Sequence, residues 1–167
     1  MTKDKREKIG NFLLPNAPTF VVTCDSAAAR IFLTQSRFGD WIEIEVLTNP
    51  AAATRERDRV TDRPGRVFDS FGKGRHAMAP EETGRQHEMH RFAHKVGNYL
   101  NRGLTAGDFK YLVLIADPTF LGYLRQELSP ATRRAVCYEV PMNATGYDAR
   151  KLKALFFVGT TRIWRTK

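Results

Sequence analysis

A single α/β domain with a mixed five-stranded sheet is what the pattern of this chain predicts, and three observations predict it. Two short apolar runs, Tyr111–Ala116 (YLVLIA) and residues 135–140 (AVCYEV), have the character of central strands. Residues 41–47 (WIEIEVL) alternate apolar and acidic side chains with the period of two of a half-exposed strand. Between these segments Met89, Phe92, Ala93, Val96, Leu100 and Leu104 recur at the spacing of a single apolar helix face.

The elements follow in order. Residues 1–15 read as a loosely held basic leader, residues 16–158 as the folded domain and residues 159–167 as a basic tail. Pro15 and Pro18 bracket the start of a first strand, Thr19–Cys24, and the turn Asp25-Ser26 returns the chain as Ala28–Thr34. Gly39-Asp40 turns it again into the alternating strand 41–47, so three strands form a meander that Asn49-Pro50 ends. A long helix is expected beyond Pro80, with Gly107 as its stop. After Tyr111–Ala116, Asp117-Pro118 starts a short helix through Leu128, and Ser129-Pro130 opens another helical turn. A last strand at 135–140 and a closing helix at 147–157, with Thr145 as its N-cap, complete the order β-β-β-loop-α-β-α-β-α.

The loop in that order is the stretch 55–78. It carries seven basic side chains against four acidic ones by residue 75, and no apolar period, so it reads as neither strand nor packed helix. Pro64-Gly65 is a turn signal, and Gly72-Lys73-Gly74 lets the backbone approach a ligand closely, with Arg75 and His76 just behind. The net charge of +9 is concentrated in this loop and at the two chain ends, a distribution that points to a polyanion such as RNA. The candidate nucleic-acid contacts are Arg59, Arg63, Arg66, Lys73, Gly74, Arg75 and His76. Phe68, Phe71 and Trp164 are the aromatic side chains near these charges; the two in the loop can stack on a base or anchor the loop to the body.

No stretch approaches the roughly 18 apolar residues of a membrane span, and the start is too interrupted for a secretory signal. Cys24 and Cys137 sit in strand-like segments and read as buried reduced thiols. A cytoplasmic protein is the expectation, and no cofactor motif is present.

The segments DRVTDRPGRVFDSFGKGRHAM, RFAHKVGNYLN and YLVLIADPTFLGYLRQELSP together resemble the bacterial host attachment protein family, over roughly residues 18–157. That family is described as required for attachment to host cells and is related by remote similarity to the catalytic domain of archaeo-eukaryotic peptide release factors. The resemblance implies a meander leading into an exposed glycine-containing loop, then a long helix. Gly72-Lys73-Gly74-Arg75-His76 stands where release factors carry a Gly-Gly-Gln tip, but no glutamine follows the glycines here. That departure puts peptidyl-tRNA hydrolysis in doubt and leaves RNA binding untouched.

Two further constellations can carry chemistry. Asp25 and Asp117 each follow a strand; if those strands lie parallel and adjacent, as the resemblance implies, the carboxylates meet at one sheet edge and can hold Mg²⁺. The bland reading makes Asp25 a turn residue and Asp117 a helix cap. His87, His90 and His94 share a helix face, and solvated surface histidines on a nucleic-acid-facing helix are the favoured reading; His90 and His94, four apart, are the weaker candidates for metal ligands. The sequence thus predicts an RNA- or ribosome-associated binding factor. The alternatives are a hydrolase, with Asp25, Asp117 or His76 as catalytic candidates, and a protein-interaction factor affecting attachment.

Overall fold

The computed structural model describes residues 13–52 and 80–157. The described elements are β1 (Thr19–Cys24), β2 (Ala28–Thr34), β3 (Ile42–Thr48), α1 (Pro80–Ala106), β4 (Tyr111–Ala116), α2 (Pro118–Glu127), α3 (Pro130–Ala135), β5 (Val136–Pro141) and α4 (Ala149–Phe157). The sheet has five strands in the order β3-β2-β1-β4-β5. β1 pairs antiparallel with β2 and parallel with β4, and β4 pairs parallel with β5, so the sheet is mixed as expected.

Strand alternation sorts the core into two layers. Phe20, Val22 and Cys24 of β1, with Leu112, Leu114 and Ala116 of β4, meet Phe92, Val96 and Leu100 of α1 and Phe120 and Leu124 of α2. Val21, Val113 and Ile115 point the other way, toward Leu152 and Phe156 of α4. β1 and β4 are covered on both faces, which is why their sequences run continuously apolar.

The ends of the elements are set by local chemistry. Gly107 takes φ 83° after α1, and the next amide, from Asp108, reaches back to the carbonyl of Gly103, a left-handed helix stop that glycine adopts without strain. Asp117 caps α2 and Ser129 caps α3, each followed by a proline at the first helical position. Three details differ from expectation. Trp41 precedes β3 rather than belonging to it; it is buried, with its ring 5.6 Å from that of Phe156. Ala135 closes α3 instead of opening β5. Asp148, not Thr145, caps α4, accepting the amide of Lys151 at 2.7 Å, because the helix begins at Ala149, directly after it.

The edge strand β3 contains a bulge. Ile31 faces Glu45, but Phe32 faces Glu43, and Ile44 is left over between them. The slip puts Glu43 beside Arg30, which donates to its oxygens at 2.6 and 2.9 Å. The same guanidinium reaches the carbonyls of Thr145 and Tyr147 at 3.0 and 2.7 Å, fastening the segment before α4 to the sheet. On the outer edge Ile42, Ile44 and Val46 are exposed, and the Val46 amide donates to Glu45 Oε1 at 3.0 Å. No helix among the described residues is long and apolar enough to cross a membrane.

Candidate functional site

β1 and β4 are neighbours, and the chain leaves them in opposite directions, β1 turning back to β2 and β4 passing through α2 and α3 to β5. In α/β sheets such a switch point opens a crevice beyond the carboxyl ends of the strands. Cys24 aligns with Ala116 in the parallel register, so the residues that follow them, Asp25 and Asp117, come to the same edge. They line one cavity of about 490 Å³, within the range of about 300–1,000 Å³ common for small-ligand sites. Ser26 and Ala27 add the β1–β2 turn, Arg85, Gln86 and Met89 the early turns of α1, Thr119 and Tyr123 the exposed side of α2, and Asn143 the segment before α4.

The two carboxylates differ in their surroundings. Asp25 Oδ1 accepts the amides of Ala27 and Ala28 at 2.8 and 2.9 Å. Its Oδ2 accepts the Thr145 hydroxyl at 2.6 Å and the Asn143 amide at 3.2 Å. Burial pushes the Asp25 pKa up, but these hydrogen bonds, led by that from Thr145, outweigh it and hold the carboxyl below its ordinary value. Asp117 instead uses Oδ1 alone to cap α2, accepting the amides of Thr119 and Phe120 at 3.0 and 3.2 Å. No donor among the described residues reaches Asp117 Oδ2.

The turn-and-cap reading of both aspartates therefore holds in detail, while their shared crevice also holds. Among the described residues, no group of three His, Cys, Asp or Glu side chains is arranged to bind a metal ion. Cys24, adjacent to the site, is buried; desolvation first, then the charges of Asp25 and Asp117, push its thiol far up, which keeps it protonated and a poor nucleophile. Cys137 is half-buried, and burial pushes its thiol up to about 11.

His90 and His94 are half-exposed but not simply solvated. They flank Glu127 at the end of α2, His94 Nδ1 at 2.5 Å from one carboxylate oxygen and His90 Nε2 at 3.3 Å from the other. Asn98 approaches His94 Nε2 at 2.9 Å. The face they share is thus a helix–helix contact between α1 and α2. His87 is exposed. Arg59, Arg63, Arg66, Lys73, Gly74, Arg75 and His76 lie outside the described residues, as do Phe68, Phe71 and Trp164.

Both described ends of the chain around the basic stretch nevertheless meet at the crevice. On the β3 side, Asn49 donates through its backbone to Ala27 at 2.7 Å and through its side chain to Ser26 at 2.9 Å. On the α1 side, Arg85, Gln86 and Met89 line the cavity with the same two turn residues. Sequence reasoning missed Arg85, Gln86, Tyr123, Asn143 and Thr145. Only Arg85 carried a signal, standing four residues before Met89 on the apolar-stripe side of the helix.

No curated protein matches the chain. Among solved structures, the chain is similar to S. cerevisiae Dom34, described as a translation termination-like factor involved in RNA quality control pathways and interacting with Hbs1. The similarity has a TM-score of 0.39 at 10% sequence identity, covering 87% of this chain and 37% of that one. This chain thus spans little more than a third of that protein's length. The family model described as protein required for attachment to host cells matches residues 20–155. With a match over most of its length, the chain belongs to the host attachment family.

Proposed function

We propose that this protein binds RNA, with the basic stretch 55–78 as the principal contact and the neighbouring crevice as the body against which the polyanion lies. The observation that supports this reading is that described residues on both sides of the basic stretch lie at the β1–β4 crevice: Asn49 hydrogen-bonds to the β1–β2 turn, and Arg85, Gln86 and Met89 of α1 line the cavity. The sequence between these two flanks carries seven basic side chains within residues 55–75. Arg91 and Lys95, exposed on α1, extend the same sign of charge along the helix. The family description names attachment, a phenotype, and the molecular contact proposed here would act inside or upstream of it.

Each phosphate neutralised by a lysine or arginine releases condensed counterion, so affinity falls with salt. Contacts from Arg63, Arg66, Lys73 and Arg75 imply a log–log slope of about −3 for single-stranded RNA, at about −0.7 per contact. Changing all four to alanine is expected to weaken RNA and ribosome binding and flatten the slope, with the fold retained. A truncation after Phe157 removes Arg162, Arg165 and Lys167 and controls for the tail. Unchanged affinity and slope in the quadruple variant, with loss of both in the truncation, would refute the assignment.

A nuclease acting through Asp25 and Asp117 is a second reading of the same edge, favoured by their common crevice. Its cost is that Asp25 already directs both oxygens to protein donors. Purified protein with Mg²⁺ or Mn²⁺ and assorted RNA and DNA is the assay, and no cleavage is expected.

A further inference from the structure

We infer that the β1–β4 crevice accepts a single unpaired ribonucleotide and distinguishes it from a deoxyribonucleotide through Asp117. The inference rests on the RNA-binding reading and adds to it a seat for one nucleotide, with a stated chemistry at each wall.

The cavity presents groups that no described residue engages. Asp117 Oδ2 has no donor among the described residues, while Oδ1 is pinned by two α2 amides, so the carboxylate is held in one orientation with one oxygen available. Arg85 makes no ion pair with any described residue, and Gln86 and the Tyr123 hydroxyl have no hydrogen bond to one. Asp25 contrasts with them, since four donors surround it and disperse its charge. A polar wall of this kind, built on two helices and without partners among the described residues, is what a binding site offers before its ligand arrives.

A nucleotide has three parts that match. Ribose hydroxyls donate well to a carboxylate, and an acidic side chain beyond a strand end is a recurrent means of holding the 2′-hydroxyl in α/β folds. Deoxyribose lacks that donor and leaves the oxygen unpaired. The phosphate suits Arg85, whose planar fork matches phosphate oxygens and which lies on the side where the basic stretch joins α1. The base suits Tyr123 and Met89, an aromatic ring and an apolar side chain on facing helices. A simple cation fits less well. It would need several free acceptors, and among the described residues one carboxylate oxygen at the crevice, Asp117 Oδ2, lacks a donor.

The test uses the full chain with 5′-AMP and 2′-deoxy-5′-AMP, followed by calorimetry or by NMR shifts of crevice residues. AMP is expected to bind saturably and about tenfold more tightly than the deoxy compound, the factor that corresponds to about 1.4 kcal/mol. Asp117→Asn keeps an N-capping side chain, so α2 retains its start, and is expected to erase most of that ratio. Arg85→Ala should weaken AMP to the level of adenosine while leaving the ribose preference intact. Equal affinity for the two nucleotides in the unmodified protein, or no saturable binding of either, overturns the inference, and neither result depends on a variant folding. Salt-dependent binding of a single-stranded RNA oligonucleotide, measured in parallel, separates the two claims. If the oligonucleotide binds through the basic stretch but AMP and its deoxy form are indistinguishable, the crevice inference fails and the RNA-binding reading stands. If AMP is preferred but the oligonucleotide shows no dependence on the basic stretch, the reading fails and the nucleotide seat stands.

Discussion

Asp25→Asn isolates what a carboxylate does at the end of β1. In the native protein four donors converge on it, two backbone amides on Oδ1 and the Thr145 and Asn143 side chains on Oδ2. Asparagine keeps an acceptor for the amides at neutral strength but places an amino group against Asn143 and Thr145. Losing two charge-assisted bonds of about 1.5 kcal/mol each, partly replaced by water at a half-exposed site, leaves a cost of about 2–3 kcal/mol at neutral pH. The pH dependence follows from the depressed pKa. The carboxyl titrates below its ordinary value near 3.8, so its stabilisation is complete above that value and is lost as pH falls through the lower folded one. Urea unfolding followed by circular dichroism, on both proteins at pH 7 and at successively lower pH, should show the stability gap constant near neutrality and closing below about pH 4. A gap under about 0.5 kcal/mol at pH 7, or one that stays constant into acid, would refute the reasoning.

Two other outcomes are expected. Gly97 lies where α1 meets the end of α2, and a Cβ there would stand 2.7 Å from Glu127 Cβ and 3.1 Å from its carbonyl oxygen; Gly97→Ala should therefore destabilise by about 1–3 kcal/mol in thermal or urea unfolding despite the better helix propensity of alanine. Native protein treated with a thiol reagent at mildly alkaline pH should modify Cys137 slowly and Cys24 only after denaturant is added, because burial holds both thiols protonated; rapid labelling of Cys24 would contradict its place in the core.

Legibility in the sequence follows how local the cause is. β1, β4 and the buried stripe of α1 were readable because double-sided burial and a helix face leave runs and periods in the chain itself. Asp117, Ser129 and Gly107 were readable because a cap or a left-handed stop is chemistry within four residues. The adjacency of β1 and β4, and with it the meeting of Asp25 and Asp117, came only through the family resemblance. The partners of Asp25 were hidden, since Asn143 and Thr145 lie 118 and 120 residues away in the chain. Thr145 misled as a helix cap because α4 begins only at Ala149, where Asp148 directly precedes the first turn and accepts from it; the Thr145 hydroxyl donates to Asp25 instead. Of the α1 histidines, His90 and His94 meet Glu127, a neighbour that belongs to another helix and leaves no mark on their spacing, so the expected solvated face was a helix–helix contact there.

The bulge in β3 bears on how copies of this chain behave toward one another at high concentration. Among the described strands β3 ends the sheet, and its exposed Ile42, Ile44 and Val46 would invite a strand from a second molecule. Antiparallel self-pairing centred on Ile44 would set Glu43 of each copy against Glu45 of the other, like charges directly opposed. The Val46 amide, moreover, is already given to Glu45 Oε1, and the slip beside Ile44 breaks the even ladder that an incoming strand would need. The bulge and the two glutamates thus make this apolar rim a poor template for an incoming strand.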